Sequence, residues 1–324
     1  MLKTSLLKIT VIVPTYKRPQ DLARCLAALK LQIRPLDELW VIVRDTDQAT
    51  WDFLEQFDRR ASEGGDLPLH IATVTAVGVI AAMNIGLESS TGDIVAFTDD
   101  DAAPHPDWLA KIEEYYLADQ DKQIGGVGGR DWMYYGTKLA EGSRAVVGKL
   151  AWFGRLTGNH HLGIGGGREV DVLKGVNMTF RREAIADLRF DQRMRGSGAQ
   201  VHFEMVFCFA LKQRGWKLIY DPQIAVDHFL GQRFDEDQRN TFNAQAAMNI
   251  THNETVAMLG YLSPLRRFIF LVWAIAIGTR ESRGLLQWFR FLPKEGALSG
   301  RRLWAGWRGR WQGWQTWQKS LIAP

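Results

Sequence analysis

Gly92-Asp93-Ile94-Val95-Ala96-Phe97-Thr98-Asp99-Asp100-Asp101 carries the strongest structural signal in the chain. Gly92-Asp93 reads as a turn. Residues 94–98 form a short, mostly apolar run, the pattern of a strand buried in a parallel sheet. Three carboxylates follow at its carboxyl end. Adjacent like charges repel, so the triplet makes physical sense where a divalent cation, or a ligand carrying one, sits between the side chains. In open α/β sheets, ligands lie in the crevice beyond the carboxyl ends of the strands.

Working outward, the preceding residues alternate strand and helix signals. Residues 9–13 are apolar and β-branched, and Pro14 ends them. Pro19 suits the first turn of a helix through Leu22, Leu26 and Leu29. Residues 39–43 and 67–74 read as strands. Trp51, Leu54 and Phe57 mark one helix between them, and Val79, Met83 and Leu87 mark another after them. This rhythm predicts an α/β fold with a Rossmann-like, doubly wound, mostly parallel sheet and right-handed crossovers. Beyond residue 120 the pattern loosens. Residues 124–129 read as a strand, 136–170 are Gly-rich and unassigned, 201–214 read as a helix, and 216–220 as a strand ended by Pro222. From about residue 240 onward the pattern is helical.

The chain of 324 residues has room for two domains, or one with an elaboration. Two cysteines, Cys25 and Cys208, fall in predicted helices and suggest a reducing compartment without disulfides. Lys3 and Lys8 are followed by no long apolar run, so residues 9–13 read as the first strand rather than a signal peptide. Net charge is +4, but residues 264–324 hold eleven Lys or Arg and two Glu, a local +9 that leaves −5 for the remainder. The same segment carries seven of the thirteen Trp. A basic, Trp-rich tail on an acidic body calls for a partner of its own, and the acidic body argues against nucleic acid.

Polar residues close three strands: Pro14-Thr15-Tyr16-Lys17-Arg18, Arg44-Asp45-Thr46-Asp47 and the Asp triplet. No Gly-rich phosphate loop follows the first strand, against ATP hydrolysis or NAD binding. In this order the motifs resemble the family 2 glycosyltransferases, which have the GT-A fold. Val11 to Arg18 is similar to the family's opening "VIPTYNR", and Asp45 matches the second Asp of "VDDGS". Gly78 to Gly86, with Asn84, resembles "GxxxARNxG", and Asp99–Asp101 the DxD motif, followed by Pro104 and Trp108. Gly175-Val176-Asn177-Met178 with Arg181-Arg182 is similar to "GxNMxFRR". Glu204, eleven residues before Gly215, keeps the spacing of the family's catalytic carboxylate. Asp227-His228 resembles the late "VxH" element. The likeness covers residues 9–230, and its finer pattern resembles cyanobacterial hormogonium polysaccharide enzymes. Four positions depart from the family: Lys17 for Asn, Arg44 for the first Asp, Met83 for Arg, and Phe203-Glu204 for Glu-Asp.

The resemblance implies an inverting transferase that moves a sugar from a UDP- or GDP-linked donor to a hydroxyl of a lipid-linked or growing exopolysaccharide acceptor. Pro14, Thr15, Tyr16, Arg18, Asp45, Asn84, Asp99 and Asp100 would contact the donor. Asp101, Asp99 and His228 would hold Mg²⁺ or Mn²⁺. Glu204 would be the general base, and Trp108, Gly175, Asn177 and Arg181 would lie near the acceptor. His160 and His161 lack metal-ligand spacing and read as part of a mobile acceptor loop, with Gly163 and Gly165–Gly167 available for closure. Two other readings remain: a sugar-phosphate nucleotidyltransferase, which would want a Gly-rich loop after the first strand, and a non-catalytic nucleotide-sugar-binding scaffold.

The division expected is a catalytic domain at residues 1–235 and a helical, membrane-associated extension at 236–324. Residues 268–277 are ten apolar residues, too few to span a bilayer, which needs about twenty. Trp304, Trp307, Trp311, Trp314 and Trp317 recur at helical spacing with Arg301, Arg302, Arg308 and Arg310 around them. That pattern suits a peripheral contact with anionic lipid on the cytoplasmic face of the plasma membrane.

Overall fold

Apolar runs of four to seven residues alternate with amphipathic helices through the first third of the chain. In the computed structural model, which describes residues 7–61, 67–238 and 241–322, they fold as that pattern dictates. Lys3 lies outside the described residues. In order these are β1 (Ile9–Thr15), α1 (Pro19–Lys30), β2 (Glu38–Arg44), α2 (Gln48–Ala61), β3 (Leu69–Val74), α3 (Val79–Ser89) and β4 (Ile94–Phe97). Next come β5 (Ala102–Pro104), α4 (Trp108–Ala118), β6 (Ile124–Tyr135), β7 (Lys138–Leu139), β8 (Lys149–Leu150), β9 (Leu156–Thr157) and β10 (Arg168–Val170). Then follow β11 (Met178–Arg181), α5 (Arg182–Ile185), α6 (Phe203–Gln213) and β12 (Lys217–His228). The chain closes on α7 (Ala244–Tyr261), α8 (Pro264–Ala276), α9 (Leu285–Glu295) and α10 (Ala297–Ile322).

The main path of the sheet runs β10-β12-β6-β11-β4-β1-β2-β3, with β5 on β12 and β7 on β6. Strands β1 to β4 are mutually parallel where they pair, and β11 enters antiparallel between β4 and β6. Every residue of β1 and β4 is buried, as a strand covered on both faces requires.

Two strands outrun their sequence signals. Strand β6 continues from the glycines to Tyr135, and β12 runs through Pro222 to His228. They pair in parallel, with an irregularity between Asp221 and Ala225 that takes up the proline. The bulge presses the Ile224 carbonyl onto Gly129, where a Cβ would sit 1.7 Å from that oxygen. Gly129→Ala should therefore cost about 3 kcal/mol or more, the upper range for overpacking. Gly166→Ala, with open space around it, should stay within about 0.5 kcal/mol of wild type. Thermal unfolding compares them, and equal melting temperatures would mean that the bulge yields.

The C-terminal helices share a core with the sheet. Val256, Met258, Leu259, Phe270 and Ala274 belong to the same buried cluster as Phe97, Phe180 and Phe207. The long helix α10 lies on α7 through two glycines, Gly309 and Gly313, while Gly306 abuts Arg283. A Cβ at Gly309 would meet Thr251 Oγ1 at 2.0 Å, so only glycine permits this approach. The five tail Trp accordingly do not form one exposed stripe. Trp304, Trp307 and Trp311 are exposed, whereas Trp314 and Trp317 pack on the core. Arg310 is buried too, 2.9 Å from Glu254.

Candidate active site

The carboxyl ends of β1 and β4, the end of β12 and the first turn of α6 converge on a cleft of about 420 Å³. The triplet divides by direction. Asp99 and Asp101 line the cleft. Asp100 is fully buried behind it, accepting a hydrogen bond from Thr15 Oγ1 at 2.8 Å and pairing with Arg18 at 2.6 Å. Arg18 also reaches Asp101 at 2.8 Å. The antiparallel register of β5 on β12 sets His228 opposite Ala102. That places its Nε2 3.4 Å from Asp101 Oδ1 and its Nδ1 3.4 Å from Asp131 Oδ2. One ligand atom from each of Asp99, Asp101 and His228 lies within 4.8 Å of the others. Two carboxylates and an imidazole make an oxygen–nitrogen donor set that fits Mn²⁺, and Mg²⁺ through its carboxylates.

Charge is balanced tightly around this point. Burial works against an ionised Asp101, but His228, Arg18 and the Gly231 N–H at 2.8 Å outweigh it and hold the carboxyl well below its usual range. Burial likewise pulls His228 down, and its hydrogen bonds to Asp101 and Asp131 raise it instead to about 9. Asp131, fully buried on β6, forms an ion pair with Lys174, which lines the cleft. Across the cleft stands Glu204. Burial raises its pKa, against the opposing charges of His202 and Lys174.

The approach to Glu204 is held in an uncommon backbone conformation. Gln200 and His202 have left-handed φ of 42° and 75°, and Lys17, at the mouth of β1, has 57°. Such residues persist where surroundings over-determine them. Here the Gln200 Oε1 accepts from the Ile80 N–H at 3.0 Å, tying the segment to the amino end of α3. Gly78, φ 102°, leaves the room this needs, since a Cβ there would lie 2.2 Å from Gln200 Oε1. From below, Asn253 of α7 accepts from Arg195 N at 2.7 Å and donates to the Arg195 and Val201 carbonyls at 2.9 Å. Asp235 receives the Ala199 N–H at 2.9 Å.

Of the residues expected at the site, the structure brings Pro14, Thr15, Tyr16, Arg18, Asp99, Asp101, Gly175, Glu204 and His228 to the cleft. Others stand elsewhere. Asn84 is buried and bonds to the Phe190 N–H and carbonyl, so it holds α3 to that segment. Asp45 is exposed beside Arg44 and does not line the cleft, whereas Arg44 does. Trp108 is fully buried and donates its Nε1–H to Asn177 Oδ1 at 2.9 Å. Asn177 in turn donates to the Arg130 and Ile224 carbonyls, stapling the β6–β12 bulge. Arg181 lies at the far end of the sheet, opposite Ile94 and paired with Asp119. These three are framework groups rather than acceptor contacts. His160 is also buried, its Nε2 2.9 Å from the Val172 carbonyl, so this part of the loop is tied into the core. Sequence reasoning missed Asp131 and Lys174. The Lys adjoining Gly175-Val176-Asn177 was visible, but Asp131 carried no signal apart from the pairing of β6 with β12.

The glycosyl transferase family 2 model matches residues 10–189. A glucosyl-dolichyl phosphate glucuronosyltransferase of Haloferax volcanii is 27% identical over 235 residues, covering 69% of this chain and 70% of that protein. The succinoglycan biosynthesis protein ExoM of Rhizobium meliloti is 36% identical over 114 residues, 33% of this chain and 34% of that protein. Among solved structures, S. aureus TarS 1–349 in complex with UDP-GlcNAc superposes with a TM-score of 0.57 at 15% identity, covering 98% of this chain and 92% of that one. The mannosyltransferase PcManGT of Pyrobaculum calidifontis, in complex with GDP-Man and Mn²⁺, gives 0.54 at 17% identity, covering 98% and 88%. The fold is therefore GT-A, and the chain belongs to glycosyl transferase family 2.

Proposed function

We propose that this family 2 enzyme is a metal-dependent inverting glycosyltransferase. It moves a sugar from a UDP- or GDP-linked donor to a hydroxyl of a lipid-linked or growing exopolysaccharide acceptor. The observation that carries the reading is the convergence of Asp99, Asp101 and His228 within 4.8 Å on a cleft that also holds Glu204. Asp99, Asp101 and His228 would hold Mg²⁺ or Mn²⁺, which when bound neutralises charge on the departing diphosphate. Pro14, Thr15, Tyr16 and Arg18 line the donor side. Glu204 takes the proton of the acceptor hydroxyl, whose oxygen attacks the anomeric carbon as the diphosphate leaves with its bonding pair. A single displacement of this kind inverts the anomeric centre. The relatives named for dolichyl phosphate and succinoglycan substrates support the acceptor class, and the neighbours holding UDP-GlcNAc or GDP-Man support the donor class.

We place the catalytic part at residues 1–235 and a membrane-associated part at 236–324, with the protein peripheral on the cytoplasmic face of the plasma membrane. No helix among the described residues is long and apolar enough to cross a membrane. The segment between β1 and α1, Tyr16-Lys17-Arg18, lacks the glycines a nucleotidyltransferase reading wants. The test is a panel of UDP- and GDP-sugars with Mn²⁺ or Mg²⁺ and polyprenyl-linked saccharide acceptors, with product configuration read by NMR. Nucleotide-sugar synthesis from a sugar phosphate would favour the nucleotidyltransferase. Donor binding without transfer or hydrolysis would favour the scaffold.

Asp131 orients His228 from behind, as carboxylates commonly orient metal-binding imidazoles. Asp131→Asn should weaken Mn²⁺ binding about 10- to 100-fold, read as free Mn²⁺ by electron paramagnetic resonance. Unchanged affinity would mean that His228 needs no such support.

A further inference from the structure

Helices α8 and α9 carry their apolar residues on the wrong side for a water-soluble fold. In α8 the inward positions Phe270 and Ala274 are fully buried. The outward positions Leu265, Phe268, Val272 and Ile275, spaced by three and four, are 70%, 65%, 49% and 43% exposed. In α9 no residue is buried, and Leu285, Leu286, Phe289 and Leu292 stand exposed on one side of the helix. Core packing cannot account for such a helix, because its apolar stripe faces solvent.

The two helices form a built hairpin. Gly278 bridges to Arg283 across the turn, and Gly278, with φ 67°, takes the left-handed corner. Arg283 is buried and donates to Ser299 Oγ and Glu295, each at 2.6 Å, fastening the turn to α10. Beside α8, Trp152 and Phe153 complete an apolar recess of about 480 Å³ with Phe268, Val272, Trp273 and Ile277. Exposed Arg280, Arg290 and Lys294 border these stripes. Of the two tail acids, Glu295 is already engaged by Arg283.

We infer that the α8–α9 hairpin, with Trp152 beside it, is the surface by which the protein docks on an anionic lipid bilayer. The inference rests on the membrane-surface reading given above and assigns its contact. At thirteen and eleven residues, the helices are too short to span and suit burial of one face at the headgroup–acyl boundary. The cationic rim complements anionic headgroups. A two-fold pairing of the same hairpin on a second copy would instead set like charges against each other. The exposed Trp304, Trp307 and Trp311 belong to α10 and not to the hairpin.

Vesicle flotation tests it with the full chain and vesicles of phosphatidylcholine, with or without phosphatidylglycerol. Wild type should bind the anionic vesicles and bind less in high salt. The quadruple variant Phe268→Gln, Val272→Gln, Phe289→Gln, Leu292→Gln should lose at least about tenfold in partitioning. Its circular dichroism and nucleotide-sugar binding should match wild type, because all four side chains are solvent-exposed. Trp304→Ala with Trp311→Ala should stay within about twofold of wild type. If the quadruple variant binds like wild type, the docking face is elsewhere and the membrane reading stands alone. If wild type binds no vesicle, both fall. A wild-type dimer that the quadruple variant renders monomeric, with no vesicle binding by either, would make the face a protein interface.

Discussion

Glu204→Gln is expected to lower turnover about 10²- to 10⁴-fold, the usual loss on removing a general base. Donor affinity should change little, since the amide keeps the side chain's size and its place in the first turn of α6. A fall in kcat without a fall in donor binding is the signature of a group acting in the transition state. The pH profile adds a second readout. Burial raises the Glu204 pKa above the ordinary carboxylate range, and the base works only when ionised. Activity of the wild type should therefore be full at higher pH and decline as pH falls through that raised value. The acid limb should sit above the limb of an exposed glutamate and vanish from the residual activity of Glu204→Gln. Rapid-quench kinetics against pH measure both. Wild-type turnover by the variant would remove Glu204 from the reaction.

Asp101→Asn should abolish cation-dependent donor binding and lower turnover by at least about a thousandfold, several kcal/mol of lost charge stabilisation. The position is unusually committed. Its side chain faces His228 Nε2, Arg18 and the Gly231 N–H at once. The amide halves the negative charge contributed by the Asp99–Asp101 pair and presents a donor where an acceptor is needed. Titration calorimetry of UDP- and GDP-sugars, with Mn²⁺ or with chelator, separates the two effects. Wild type should bind donor only with the cation, and the variant should bind weakly in both conditions. Equal wild-type affinity with and without chelator would remove the metal from the mechanism.

Local sequence pattern alone specifies the β1-to-β4 part of the fold and the location of the acidic triplet. Those elements are specified locally: apolar runs of strand length, Pro19 at the start of α1, and helical spacing of Leu22, Leu26 and Leu29. The cleft residues Arg18, Asp99, Asp101, Glu204 and His228 were legible for a related reason. Each sits at the end of a strand or the start of a helix, where a polar group interrupts an apolar pattern.

Tertiary structure decided the rest. Whether a motif residue faces a ligand or the framework is not a local property. Asn84, Trp108, Asn177 and Arg181 stand in family motifs, yet their partners are the Phe190 backbone, the β6–β12 bulge and Asp119. The bulge itself was hidden because Pro222 ends a strand by every local rule, and only pairing with β6 carries β12 past it. Asp131 became visible as a partner of His228 through that same pairing. In the tail, helical spacing aligned the tryptophans but could not say which face meets α7. Close approach is controlled by the smallest side chains, so Gly309 and Gly313 chose the contact. That choice turned Trp304, Trp307 and Trp311 outward and set Trp314 and Trp317 against the core.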